Sequence, residues 1–154
     1  MADVLIIDGH PNHTSLCAAL AQSHAEGLRA GGASVEVLAL RDLAFDPVLH
    51  VDYHAQQTLE PDLQRAQTAI KAARRVVVVT PLWWGSIPAL LKGFFDRTLE
   101  RGWAYRYLPN GMPVCVLAGR SPRRIPPTDS PSFFLRLLQA EAAMTAAGIT
   151  VHWA

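Results

Sequence analysis

The chain has almost no net charge, its 14 Lys and Arg being offset by 13 Asp and Glu to leave a formal +1. Without a strong field of either sign it is poorly equipped to gather a polyanion, and nucleic acid is not an expected partner. Cysteine is scarce as well. Cys17 and Cys115 are the two, they lie far apart, and no CxxC pairs them. That pattern fits free thiols in a cytosolic protein and leaves one disulfide open. There is no basic segment followed by a long apolar run at the start (MADVLIIDGH), and no stretch apolar enough to span a bilayer. A cytoplasmic protein with no membrane insertion is therefore expected. Internal repeats and low-complexity segments are absent. So is the glycine-rich GxGxxG fingerprint, which argues against a Rossmann nicotinamide site.

What is present is apolar material. Hydrophobic residues make up 50% of the 154 residues and charged residues 18%, enough for a packed core and too apolar for disorder. The length suits one α/β domain over residues 1–154. The organising stretch is Val76–Leu99. Val76–Val79 is a continuous β-branched run, the pattern of a strand buried on both faces of a parallel sheet. It stops at Thr80-Pro81, and a helix pattern then opens with Ser86 placed to cap and Pro88 in the first turn. Leu82-Trp83-Trp84-Gly85 lies between them. Open α/β sheets bind ligands at the carboxyl ends of their strands, so the two tryptophans either face a ligand or cap the core.

Val4–Ile7 reads as the first central strand, ending at Asp8-Gly9, and a helix follows with Leu16, Leu20, His24 and Leu28 on one apolar face. On that face His24 reads as a core histidine. Gly31-Gly32 ends the helix and Ser34–Leu40 alternates as a strand should, completing a βαβ unit. The loop His10–Ser15 carries a second chemical signal. A loop leading from a strand into a helix offers free N–H groups and a positive dipole end to an anion. Thr14 and Ser15 add hydroxyls and His10 a ring N–H, the equipment for a phosphate. The same residues also suit a plain helix cap. His50 and His54 flank Asp52, but no third metal ligand accompanies them, and a solvated loop is expected. Glu60-Pro61-Asp62 opens another helix, with Leu63, Ala66, Ile70 and Ala73 toward the sheet. Trp103, Tyr105 and Tyr107 alternate in an excursion that ends at the turn Pro109-Asn110-Gly111.

Two segments compete for the next strand. Val114–Leu117 is favoured by composition over Arg123–Thr128, whose Pro126-Pro127 would interrupt a central ladder. Ser130 and Pro131 then open a helix from about Ser132 to Ala147, and Ile149–Trp153 is the last strand, with no helix after it to cover it.

The segment PLWWGSIPALLKGFFDRTL (Pro81–Leu99), together with DGHPNHTSL (Asp8–Leu16), resembles the flavodoxin-like NAD(P)H:quinone oxidoreductases, including small bacterial members that accompany potassium-efflux systems. The likeness runs from Val4 to about Tyr107 and continues more weakly through Gly119-Arg120-Ser121 and Thr128–Pro131. It implies a five-stranded parallel sheet in the order 2-1-3-4-5 with helices on both faces and a flavin at the carboxyl edge. The flavin phosphate would fall on His10, Thr14, Ser15, Leu16 and Cys17. The isoalloxazine ring would lie along Pro81, Leu82, Trp83, Trp84 and Gly85, and a third loop would use Thr128, Asp129 and Ser130. Tyr105 and Tyr107 match tyrosines that line the substrate pocket from the neighbouring subunit of a homodimer, and they are the candidate catalytic pair. The chain departs from the family at Pro126-Pro127, where an apolar fourth strand is expected, and in a shortened C-terminal part.

The resemblance implies a flavoenzyme that takes a hydride from NADH or NADPH and passes it to a quinone or similar small acceptor. FMN is preferred over FAD, because no segment suited to an adenosine is evident. Backbone N–H groups of the Trp83–Gly85 turn would stabilise negative charge on the reduced ring. The alternatives are a non-catalytic regulatory subunit docked on a membrane transporter, or a degenerate paralogue that binds nothing.

Overall fold

A computed structural model describes residues 2–51, 55, 57–117, 121–125 and 127. Its centre is a parallel sheet of four strands, β1 (Val4–Asp8), β2 (Val35–Ala39), β3 (Arg75–Val79) and β6 (Ser121–Ile125), in the order β2-β1-β3-β6. β1 pairs with both neighbours in one register, so that Asp8 lies between Ala39 and Val79 at the carboxyl edge. Alternate residues of β1 and β3 point to opposite faces, and each face is covered by helix. On one side Val4, Ile6, Val77 and Val79 meet Cys17, Ala21 and Ala25 of α1 (Leu16–Ala30). On the other side Leu5 and Ile7 meet Leu63, Ala66 and Ile70 of α2 (Pro61–Ala72), with Leu91 and Phe94 of α3 (Ala89–Thr98). A separate antiparallel pair, β4 (Tyr105–Tyr107) and β5 (Pro113–Cys115), follows α3.

The structure corrects several expectations, each for a packing reason. The buried stripe of α1 is Cys17-Ala21-Ala25, one residue on from the leucines. Small side chains let the helix approach the sheet closely, whereas Leu20 and Leu28 fill its flanks and Leu16 stays exposed. His24 is thus not in the core. It is half-buried and lines an open groove with Leu20, Leu28 and Ile125. Ser86 does not cap α3, which begins after Pro88.

The fourth strand is Ser121–Ile125 and not Val114–Leu117, whose first two residues belong to β5. The strand ends before Pro127, so that proline costs the ladder nothing. Pro126, the Ser132–Ala147 helix and the Ile149–Trp153 strand lie outside the described residues, as does the fifth position of the expected sheet. Trp103, read with the tyrosines as part of an outward excursion, instead packs, partly buried, against the core cluster to which Leu91 and Phe94 belong.

Between β2 and α2, Asp46, Thr58 and Glu60 are bound to α3 by one buried arginine. Arg97 is 1% exposed and donates to the Asp46 and Thr58 carbonyls and to both Glu60 carboxylate oxygens. Gly93 lets Pro47 lie directly against the helix, because a Cβ there would stand 2.3 Å from the Pro47 carbonyl oxygen.

Candidate functional site

The loop after β1 is a chain of short-range side-chain turns. Asp8 Oδ1 accepts from the His10 N–H, His10 Nδ1 accepts from the Asn12 N–H, and Asn12 Oδ1 accepts from both the N–H and hydroxyl of Thr14. Ser15 then caps α1, its Oγ accepting from the Ala18 N–H at 3.1 Å. A helix leaves its first N–H groups without carbonyl partners, so Leu16 and Cys17 present theirs outward at the positive dipole end. The Ser15 hydroxyl, an acceptor in the cap, keeps its proton for an incoming anion. This donor set fits one phosphate group.

Two expected donors are used otherwise. The Thr14 hydroxyl is spent on Asn12, and the Cys17 thiol is turned into the core under the sheet, where burial first, then the Asp8 charge, pushes it up to about 11 and keeps it protonated. Asn12 had no sequence signal of its own, apart from its place two residues from each group it joins.

The loop after β3 lies beside it. Trp83 and Ser86 exchange both backbone hydrogen bonds at 2.9 Å, and Trp84 and Gly85 between them hold φ at 53° and 73°. Two successive positive φ values make a type I′ turn. Gly85 adopts that geometry freely, whereas Trp84 is held in it with its side chain fully exposed. The Trp83 N–H is consumed by the turn, which leaves those of Trp84 and Gly85 facing away from the pair. Pro81 is buried, Leu82 half-buried and Trp83 45% exposed, so the tryptophans do not cap the core. The two loops meet where His10 sets its ring edge-on to Trp83, centroids 5.3 Å apart.

Tyr105 and Tyr107 stand apart on β4, edge-to-face at 5.8 Å, with the Arg101 guanidinium over the Tyr107 ring at 5.4 Å. Thr128, Asp129 and Ser130 lie outside the described residues, as do Asp52 and His54. His50 bonds to Asp46 at 2.8 Å, and no cluster of metal-binding side chains occurs among the described residues.

The phosphate-type donor set and the exposed aromatic turn lie side by side at the carboxyl edge of a parallel sheet, and the sequence profile of the flavodoxin-like fold family matches residues 2–143. The chain belongs to the flavodoxin-like family. Named relatives of this flavodoxin-like chain are redox proteins. It is 34% identical over 120 residues to an uncharacterized NAD(P)H oxidoreductase of Haemophilus influenzae, across 75% of this chain and 59% of the relative. It is 33% identical over 97 residues to an FMN-dependent NADH:quinone oxidoreductase of Bordetella avium, across 54% of this chain and 48% of that protein. The chain thus spans roughly half the length of these curated relatives. The NAD(P)H:quinone oxidoreductase of Methanothermobacter marburgensis shares its fold, with a TM-score of 0.79 at 22% identity, covering 98% of this chain and 85% of that one.

Proposed function

We propose that this flavodoxin-like protein is a flavin-dependent oxidoreductase that takes a hydride from NADH or NADPH and delivers it to a quinone or a similar small acceptor. The observation that carries the reading is the contact of His10 with Trp83, which joins a phosphate-type donor set to an exposed aromatic turn. The names of the relatives support the same activity. FMN is the preferred flavin, since a single phosphate matches the donors at the start of α1 and the Bordetella relative is named for it.

When bound, FMN supplies the hydride chemistry between nicotinamide and acceptor. The Ser15 hydroxyl and the Leu16 and Cys17 N–H groups would hold its phosphate, with His10 and Thr14 shaping the loop. Pro81–Gly85 would hold the ring, and the free N–H groups of Trp84 and Gly85 are suited to negative charge on it. Thr128, Asp129 and Ser130 would belong to the same cofactor site, as the resemblance implies. Tyr105 and Tyr107 would orient the acceptor, contributed by the second subunit of a homodimer. No helix among the described residues is long and apolar enough to cross a membrane. The setting proposed is the cytoplasm, where a peripheral contact with a membrane transporter is compatible with the reading.

The visible spectrum tests it. Purified protein incubated with FMN and then desalted is expected to stay yellow, to release FMN on denaturation, and to bleach with NADH or NADPH. Protein that stays colourless with both FMN and FAD is no flavoprotein, and the regulatory or degenerate reading then replaces this one.

A further inference from the structure

The loop after β1 is tied to β2 by one guanidinium. Arg41 lies in the short 3₁₀ turn Leu40–Asp42 that follows β2, and its side chain is 12% exposed. Its Nη1 donates to Asp8 Oδ2 and, at 3.2 Å, to the His10 carbonyl, while its Nε donates to His13 Nδ1 at 3.0 Å. Asp8 is 1% exposed, and its other oxygen receives the His10 N–H. One ion pair therefore grips the loop at two residues, His13 through its ring and His10 through both its backbone groups. Asp42 extends the grip, 3.6 Å from His13 Nε2 on the loop's outer side.

Stability alone is a poor reason for such a pair. Taking both charges out of water costs about as much as their attraction returns. Electrostatics gives a better one. A carboxylate buried at the root of an anion site repels the anion, and a cation locked against it cancels that field. Geometry adds a second. The guanidinium is planar and forked, so it fixes the directions of the groups it binds in a way that a lysine ammonium does not. The peptide from His10 to His13 leads directly into the Ser15 cap and the free N–H groups of Leu16 and Cys17.

We infer that Arg41, neutralised by Asp8, is a positioning residue that sets the phosphate loop in its anion-binding shape and so gives this protein its preference for a phosphorylated flavin over the same flavin without phosphate. The inference rests on the flavin reading above.

The test compares FMN with riboflavin, which shares the ring and lacks the phosphate, by fluorescence titration of the apoprotein. The parent protein is expected to bind FMN far more tightly than riboflavin. Arg41→Ala is expected to weaken FMN by roughly tenfold or more, the scale of losing a charge-assisted hydrogen bond, with riboflavin nearly unchanged. Arg41→Lys should recover only part of the FMN affinity, because the charge returns without the fork. If Arg41→Ala does not fold, the Lys variant decides: a loss confined to FMN supports the inference. An equal loss for both flavins, or no loss, assigns Arg41 to the scaffold and overturns it. A parent protein that binds neither flavin overturns the flavin reading and this inference together. A parent that binds both equally removes this inference and leaves the reading standing.

Discussion

Trp84 holds a backbone conformation that its side chain does not repay. Its φ of 53° places Cβ against the backbone at a cost of about 1–2 kcal/mol, and full exposure means that no burial compensates. Strain of this kind without packing belongs to a residue kept for what it meets. Trp84→Gly is expected to raise the stability of the apoprotein by about 1 kcal/mol in urea unfolding, the lower end of that cost, and to weaken the proposed flavin. A variant no more stable than its parent would show that the turn is unstrained.

Legibility at this scale followed sequence distance. His10, Ser15 and the tryptophans announce themselves by residue type at a strand end. Asp8 and Arg41 do not, because their partnership exists only once β1 and β2 are paired, and each alone reads as an ordinary charge beside a turn.

Among the elements, Asp46, Thr58 and Glu60 are tied to α3 through Arg97. Removing that guanidinium would take the donor from two carbonyls and leave Glu60, which is partly exposed, with the Asp46 N–H alone as a distant donor among the described residues. Arg97→Ala is expected to cost about 3 kcal/mol, the lower end of the range for breaking a buried ion pair from one side. The same link makes stability depend on pH. Burial pushes the Glu60 carboxyl up, but hydrogen bonds from its own backbone, from Asp46 and from Arg97 outweigh this and hold it below its ordinary 4.5. A carboxylate lowered by folding stabilises above its unfolded value and stops doing so as pH falls through its folded one. Glu60→Gln should therefore be less stable than the parent at neutral pH, with the gap closing below about pH 4.5. Chemical denaturation across that range measures it, and a gap that stays constant would detach Glu60 from the effect. Asp46, lowered by the Val48 N–H and by His50, leaves some acid sensitivity in both proteins.

Legibility among the elements was good where burial governs pattern and poor where pairing does. Leu63, Ala66, Ile70 and Ala73 of α2 and its C-terminal flank are all buried as their spacing predicts. Ser121–Ile125, by contrast, contains Pro122 and a buried arginine, Arg124, and is a strand because β3 presents it with a ladder.

For the whole molecule, the hairpin of β4 and β5 is the feature that points outward. Tyr107, Leu108, Met112 and Val116 expose apolar surface along it, while Trp103 anchors its base in the core. Apolar patches of this kind mark contacts, and the proposed homodimer gives this one a use. Sedimentation is expected to find two chains per particle. Mixing subunits unable to bind flavin with subunits carrying Tyr105→Ala and Tyr107→Ala should restore reductase activity, since a mixed dimer then has one flavin site lined by intact tyrosines. A monomer, or no recovery once subunit exchange is confirmed, removes the shared pocket.

The strand order also governs how the chain reaches its fold. Val4 faces Val35 on one side and Arg75 on the other, and Arg75 in turn faces Ser121. Every partner in this ladder is non-local, so loop-closure entropy must be met before the pairing can reward it. During synthesis β1 can recruit β2 early, but its second edge stays open until α2 and β3 have left the ribosome. An exposed edge of Val4–Ile7 in that interval is a template for a neighbouring chain. Arg41 follows β2 directly and arrives with it, so while that edge is open its far end already carries the Asp8–Arg41 ion pair, which a foreign strand would have to bury.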